Sequence, residues 1–415
     1  MQRDAGPPMS LDQNSRVVVV GASLAGTRAA EELRRAGYTG DVVVIGAEAH
    51  APYDRPPLSK QFLAGSWGRE RIELRPAPRW TELGIEFRLG ERARGVDVAA
   101  RRVAMEGGEL IGFDGLVLAP GATPRKLDLA AGLSGVFELR TVDDAEAIVA
   151  RMEAGATRVV VVGAGFIGSE VAATCRARGA EVTVVEVLDV PLARVLGEQM
   201  GGICGDLHRR NGVELLVGTR VENLEGDASG EIRRVVLSGG RSLDADLVVV
   251  GVGVVPETGW LADSGLEISD GLVADAELFV ADGVVVAGDA ARWLDLGQGE
   301  HVRIEHWTNA AEQGVVAARN LLAGRGRGEP YVPVPYFWSD QYGVKIQVLG
   351  YPRPSDDVEI VEGSLEEGRF VALYGRAGLM SAALGFGMPG RLMAYRKLLE
   401  ERASMHEAMM HARGS

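Results

Sequence analysis

Two short runs constrain this chain more tightly than any other part of it. In the first, Val17 to Val20 run straight into Gly21, Ala22, Ser23, Leu24, Ala25 and Gly26, and a helical pattern follows to Leu33. Four β-branched residues ahead of a glycine turn predict a buried strand, a tight corner and a helix opening. That geometry aims unpaired backbone N–H groups and the positive end of a helix dipole at one spot, which suits a pyrophosphate. Gly21 makes the corner and Gly26 lets the helix pack close to the strand. Ser23 stands where such a loop usually carries its second glycine. One loop of this kind is weak evidence on its own.

The second run repeats the pattern in full. Val159 to Val162 lead into Gly163, Ala164, Gly165, Phe166, Ile167 and Gly168, and Ser169 to Arg178 then reads as helix. A further strand, Glu181 to Val185, stops at Glu186. An acid about 20 residues beyond the glycines is placed to accept the ribose hydroxyls of a dinucleotide. The first run has its counterpart in Asp41 to Ile45, followed by Gly46, Ala47 and Glu48; Glu48 takes the ribose role there, and a solvated turn glutamate is the plainer alternative. Two such units imply two adenine dinucleotides and a reason to bring them together.

At 415 residues the chain is too long for one core, so two or three domains are expected. A net charge of −14 argues against nucleic acid or an anionic membrane as a main partner. The only cysteines, Cys175 and Cys204, form no C-x-x-C, which leaves no redox dithiol and no disulfide scaffold. Cys175 is expected as a small buried apolar side chain. His50, His208, His301, His406 and His411 lack metal-ligand spacing and are expected at the surface, with no metal site. Residues 1–14 carry prolines and charges rather than an apolar leader, and no run is long enough to span a bilayer. The expectation is a cytoplasmic protein with a flexible tail at 1–14.

Beyond the first βα unit, Ala51 to Gly65 is a shaped loop stiffened by Pro56 and Pro57, with Lys60 opening a short helix. Gly84–Leu89, Glu91–Asp97 and Arg101–Met105 predict strands of a small antiparallel layer, and Phe113–Ala119 a parallel strand ending at Pro120 and Gly121. The second half repeats this order: a helix over Leu192–Arg209, strands at Glu214–Val217, Arg220–Glu225 and Ile232–Ser238, and an exit strand Asp246–Gly251. The chain then returns through an apolar strand, Phe279–Ala287, to Gly288 and Asp289, and a helix over Ala310–Leu322. Past the prolines at 330, 333 and 335 come strands at Val344–Leu349, Val358–Gly363 and Phe370–Tyr374 and a helix over Gly390–Met410. The expected division is a first nucleotide domain at 15–121 and 249–327, a second inserted at 122–248, and an α+β domain at 328–415.

The order GASLAG, DRPPLSK, GAGFIGSE, Glu186, VVAGDAAR, EHWTNAAEQG and YFWSDQY resembles the FAD-dependent, NADH-using ferredoxin reductases that serve bacterial oxygenases. The resemblance covers nearly the whole chain from Arg16, and its most specific pieces are RPPLSK and FWSDQ. It departs at Ser23 and at Pro120, where the family usually has threonine. The resemblance implies an α/β fold with two Rossmann-like domains in a glutathione-reductase-like arrangement, one inserted in the other, plus the C-terminal α+β domain. It assigns Gly21, Ser23, Leu24, Ala25, Gly26, Glu48, Gly121, Gly288 and Asp289 to FAD, with an N-cap for a following helix as the plainer role of Asp289. It assigns Gly163, Gly165, Phe166, Ile167, Gly168, Glu186 and Gly251 to NADH. A carboxylate at Glu186, followed by Val187 and Leu188, would repel the 2′-phosphate of NADPH.

Lys60 and Glu170 form the catalytic pair the resemblance implies. The lysine lies by the flavin and offsets the charge of its reduced form; the glutamate faces it from the nicotinamide side and accepts the carboxamide N–H. A plain surface salt bridge is the alternative. Arg55 is expected close by. Glu305, His306 and Trp307 belong to the flavin edge, with Gln313 in the helix behind them. Trp338, with Phe337, covers the flavin or the route to the acceptor; ordinary core aromatics are the alternative there.

Flavin accepts a hydride and gives up electrons singly. With no dithiol in the chain, the natural acceptor is a small [2Fe–2S] ferredoxin, bound transiently by a monomer or weak dimer. Docking an acidic partner needs a local basic patch, for which Arg292, Arg319, Lys345, Arg391, Arg396 and Lys397 are candidates. The rival functions are the same fold reducing rubredoxin, oxygen or a quinone, and an interaction flavoprotein similar to apoptosis-inducing factor.

Overall fold

The computed structural model describes residues 11–414. Residues 1–10 of the expected tail lie outside the described residues. Residues 12–15 form a turn, in which Asp12 Oδ1 accepts the Asn14 N–H at 2.8 Å and the Ser15 hydroxyl at 3.0 Å. The chain divides into two compact units: one runs up to residue 54 and includes 72–123 and 255–333, the other comprises 55–71, 124–254 and 334 onward.

The first unit is built on six strands in the order Phe279–Ala281, Val284–Val286, Gly115–Leu118, Arg16–Val20, Asp41–Gly46 and Ile85–Leu89. The last of these, expected in the antiparallel layer, instead pairs in parallel with Asp41–Gly46, and the layer is made by Ala93–Asp97, Arg102–Met105 and Leu110–Gly112. Val17 lies opposite Val42 on one side and Gly115 on the other, both in parallel register. Strands buried on both faces need continuous apolar runs, and Val17, Val18 and Val19 are fully buried. The chain leaves Arg16–Val20 toward one edge and later returns on the other side. This makes a switch point beyond the carboxyl ends of Arg16–Val20 and Gly115–Leu118, where open α/β sheets take ligands. The expected strand Phe279–Ala287 is instead an antiparallel hairpin turned at Asp282–Gly283, with Gly283 at φ 71°. An Asp-Gly pair between apolar residues favours such a turn.

In the second unit five parallel strands run Glu214–Leu216, Glu181–Val185, Arg158–Val162, Leu247–Val250 and Val136–Glu138. They place an equivalent switch point between Arg158–Val162 and Leu247–Val250. The segment Arg55–Arg71 belongs to this unit: Leu63 is fully buried in its core, and the Arg178 guanidinium donates to the Leu63 carbonyl at 2.6 Å.

The C-terminal part of this unit is a five-stranded antiparallel sheet. Its order is Tyr336–Gln341, Val344–Gly350, Leu379–Phe386, Arg369–Arg376 and Asp357–Ser364. The first and third of these strands extend the sequence expectation. The expected helix over Gly390–Met410 is broken into Leu392–Tyr395, Arg396–Glu400 and Met405–Gly414, with Arg402 at φ 55° in the break. The sheet does not form a separate compact unit. Phe337, Ile346, Phe370 and Tyr374 share one core with Leu196, Met200 and Cys204 of the helix Ala193–Arg210. That helix is interrupted at Gly197 (φ 78°), and the buried Tyr374 hydroxyl donates to the Leu196 carbonyl at 2.9 Å.

Candidate functional site

Both glycine loops have the backbone their sequence predicts. Gly163 has φ 101°, and a Cβ there would lie 2.4 Å from the Gly251 carbonyl oxygen; one on Gly168 would lie 2.1 Å from the Gly163 oxygen. In the first unit a Cβ on Gly21 would lie 1.9 Å from the Ala119 oxygen, and one on Gly26 1.8 Å from the Gly21 oxygen. These four glycines are therefore demanded by the packing of strand, turn and helix. Gly165 is different, because a Cβ there would meet nothing within 4 Å. It borders open space at the start of the helix Phe166–Ala177.

The helix openings fit anions. Leu24–Arg35 starts from Ser23 and Phe166–Ala177 from Gly165, and neither has a side-chain cap. Val142–Glu153 carries a full capping box from Thr141 and Asp144, but Ala193–Arg210 and Trp307–Ala323 also lack side-chain caps, so it is the glycine corner that sets the two openings apart. Leu24, Ala25 and Gly26 are buried in the first turn, while Ile167 is 48% exposed in the second. Uncapped N–H groups at a tight glycine corner form a cradle that fits a pyrophosphate in each unit, and in the second unit Gly165 also leaves room for it.

Glu186 directly follows the strand Glu181–Val185 and is buried. Its carboxylate accepts the Ala164 N–H at 2.7 Å and the Leu188 N–H at 2.9 Å. One bond ties each oxygen to backbone, and each keeps a lone pair for a hydroxyl donor. Glu48 lies past Asp41–Gly46 and accepts the Tyr53 hydroxyl.

Gly288 and Asp289 lie in the turn after Val284–Val286. The chain continues into the strand Ala291–Asp295, so Asp289 caps no helix. The buried Gln313 Oε1 accepts the Gly288 N–H at 2.9 Å and fixes this turn to the helix Trp307–Ala323. Arg303 adds a second tie, donating to the Asp289 carbonyl at 3.2 Å and to Glu305 Oε1 at 2.6 Å. Trp307 opens the helix, and its indole N–H donates to Asp54 Oδ1 at 2.5 Å. His306 immediately precedes it; burial pushes its imidazole down to about 4. Gly121, after Pro120, accepts the Glu257 N–H at 3.0 Å.

In the second unit, Lys60 and Glu170 meet as a buried ion pair, with Lys60 Nζ 2.6 Å from Glu170 Oε2. The surface salt bridge is thereby set aside. Lys60 closes the short helical turn Pro56–Ser59 rather than opening a helix. The Ser59 hydroxyl donates to the same Oε2 at 2.5 Å. Glu170 Oε1 accepts the Ser339 hydroxyl at 2.8 Å and the Asp340 N–H at 3.2 Å. Asp54, Ser59 and Ser339 were not among the residues singled out from sequence. Ser59 and Ser339 lie inside RPPLSK and FWSDQ, the only signal that could have raised them. Arg55 donates to the Arg140 carbonyl at 2.5 Å.

Strand alternation sorts the aromatics. Phe337 is buried, edge-on to Phe166 at 4.8 Å between ring centroids, so it is a core aromatic. Trp338 faces the other way and stacks on Tyr336 at 6.0 Å. His208 overturns its surface expectation. It is fully buried, with Nε2 3.1 Å from the Ser169 hydroxyl and Nδ1 2.6 Å from the Tyr342 hydroxyl, and burial pushes its imidazole down to about 4. Cys175 and Cys204 are both buried, and burial pushes both thiols up to about 12, so neither offers a thiolate.

Five of the six cations considered for a basic patch already hold carboxylates: Arg319–Glu32, Lys345–Asp340, Arg391–Glu362, Arg396–Glu400 and Lys397–Glu401. Arg292 donates to Ser269. Among the described residues, no group of three or more His, Cys, Asp or Glu could hold a metal ion, and no helix is long and apolar enough to cross a membrane.

The pyridine nucleotide-disulphide oxidoreductase family model matches residues 15–314, and a reductase C-terminal model matches 336–413. The chain belongs to this family. It is similar to ferredoxin–NAD(P)⁺ reductase of a Sphingomonas species, at 36% identity over 96% of each chain. It is also similar to rhodocoxin reductase of Rhodococcus erythropolis, at 37% identity over 92% of this chain and 89% of the relative. A crystal structure of the covalent putidaredoxin reductase–putidaredoxin complex matches with a TM-score of 0.90 at 29% identity, covering 97% of this chain and 99% of the other. The family resemblance seen in the motifs is thus confirmed over nearly the whole chain, and with it an oxidoreductase that uses FAD and a pyridine nucleotide. The disulphide chemistry in the family's name has no counterpart here, since both cysteines are buried thiols.

Proposed function

We propose that this flavoprotein reductase carries electrons from NADH to a [2Fe–2S] ferredoxin that supplies an oxygenase. The observation that carries the proposal is two pyrophosphate cradles in a chain whose only thiols are buried. Bound FAD would supply the conversion of a two-electron hydride donor into single electrons, so no dithiol is needed and an external carrier takes the product.

The chain's own residues do the rest. The Gly21–Gly26 corner would hold one pyrophosphate, assisted by Ser23, and the Gly163–Gly168 corner the other. Glu186 would accept ribose hydroxyls and repel a 2′-phosphate, which favours NADH over NADPH. Glu170 would accept the nicotinamide carboxamide, and Lys60 would offset the negative charge of a reduced flavin. Asp289 and Trp307, fixed by Arg303, Gln313 and Asp54, would serve the flavin. Hydride transfer needs donor and acceptor atoms about 3–3.5 Å apart, so holding the nicotinamide still is a large part of the work.

Anaerobic mixing of the flavin-loaded protein with NADH, then with oxidised ferredoxin, tests the proposal. Rapid bleaching of the flavin by NADH, slow bleaching by NADPH, and one-electron ferredoxin reduction are expected. A flavin that stays yellow under NADH, or bleaches but passes nothing to any ferredoxin, overturns it.

A further inference from the structure

The Glu170 carboxylate is full. Each oxygen takes two donors: Ser339 Oγ (2.8 Å) and Asp340 N (3.2 Å) on Oε1, Lys60 Nζ (2.6 Å) and Ser59 Oγ (2.5 Å) on Oε2. An ionised carboxylate offers about four lone-pair sites, so a nicotinamide amide cannot be accepted until one donor leaves.

The four donors are not equally free to leave. Asp340 N belongs to the backbone of the sheet strand Tyr336–Gln341. The Ser339 hydroxyl is fully buried and directed, because Gln341 Nε2 donates to its oxygen at 3.1 Å and leaves its proton for Glu170. Lys60 carries the charge that makes a buried carboxylate tolerable. Lys60 Nζ also reaches the Ser59 oxygen at 3.2 Å, but only Ser59 is uncharged and has a backbone acceptor as its alternative, the Pro56 carbonyl at 3.4 Å, so its hydroxyl can turn without stripping the carboxylate of its counter-charge.

We propose that Ser339 is a fixed positioning residue for Glu170 and Ser59 an exchangeable one, which yields its place on Oε2 to the nicotinamide carboxamide. This rests on the reading of Glu170 as the carboxamide acceptor. The two serines then act on one carboxylate with opposite signs. Removing the Ser59 hydroxyl leaves an acceptor site already vacated; removing the Ser339 hydroxyl lets the carboxylate turn away.

The test is NAD⁺ binding by titration calorimetry on the FAD-loaded protein, with KM and kcat for NADH alongside. Ser59→Ala tightens binding about fivefold, and Ser339→Ala weakens it about tenfold, the scale of a hydrogen bond to a charged group. Ser339→Cys, with a weaker donor in the same space, falls between Ser339→Ala and the parent. In a Glu170→Gln background both serine effects vanish, because each acts through that carboxylate. Thermal unfolding of every variant separates these shifts from misfolding. Effects of the same sign for both serines, or effects that persist in Glu170→Gln, overturn the inference. If Glu170→Gln weakens binding but the serines do not diverge, the inference alone falls. If Glu170→Gln leaves binding unchanged, the reading of Glu170 falls as well.

Discussion

Gly165 and Gly168 sit three residues apart in one loop, yet a methyl group should do opposite things at each. At Gly168 the added Cβ would lie 2.1 Å from the Gly163 oxygen, which is backbone and cannot swing aside. Strand and helix must separate, and overpacking of this kind costs about 1–3 kcal/mol or more. At Gly165 the backbone is extended (φ −73°, ψ −179°), any residue can adopt it, and the Cβ meets nothing within 4 Å. Gly165→Ala should therefore change stability by no more than about 0.5 kcal/mol. Its methyl would project into the open space at the uncapped start of that helix. Losing one charge-assisted hydrogen bond there costs about 1.5–3 kcal/mol, or roughly 10- to 150-fold in NADH affinity. The first loop carries Ser23 at the matching place, so Gly165→Ser should recover part of the loss by offering its own hydroxyl. Thermal unfolding and NADH titration of the three variants decide the matter. Equal destabilisation by Gly165→Ala and Gly168→Ala, or undiminished NADH binding in Gly165→Ala, would refute the division between a glycine kept for the ligand and one kept for the fold.

Glu186→Ala should raise the KM for NADH about tenfold, narrow the preference over NADPH, and leave kcat nearly unchanged, as steady-state kinetics with both nucleotides would show. Cys175→Ala should leave ferredoxin reduction intact; a loss of turnover without a loss of melting temperature would show a thiol at work. His208 is held neutral by burial, its folded value down at about 4 against 6.5 when exposed, so its contribution to stability is present above about pH 6.5 and lost as the pH falls toward 4. His208→Gln should flatten that part of a stability–pH curve from denaturant titrations, leaving the slope due to His306, which is shifted the same way. A curve unchanged by the substitution would place the titration elsewhere.

Much of the fold was legible because β-branched runs ending in glycine have few other uses. Val17–Val20 and Val159–Val162 predicted the centre of each parallel sheet, and the glycines after them the sharp corners. What escaped was pairing that depends on partners distant in sequence. The Asp282–Gly283 turn lay inside one apolar run and read as continuous strand, although Asp-Gly marks a hairpin. Tyr336–Gln341 is half aromatic and polar, and shows itself as a strand only beside Val344–Gly350. His208 carries no local mark of burial; its partners, Ser169 and Tyr342, lie 39 and 134 residues away. The Lys60–Glu170 pair was visible only through the family resemblance, since 110 residues separate the two. The serines completing that site carried no signal beyond their place in RPPLSK and FWSDQ, because a hydroxyl shows its use only once its acceptor is known.

The shared core of the C-terminal sheet and the Ala193–Arg210 helix limits how this enzyme could be re-engineered. A chimera that took residues from 334 onward from a relative would set a foreign sheet on Leu196, Met200 and Cys204 and would replace the strand whose Tyr374 hydroxyl holds the Leu196 carbonyl at the break at Gly197. The helix travels with the sheet it serves, so the practical seam for recombination lies before Leu192 rather than in the proline-rich stretch that invites the cut.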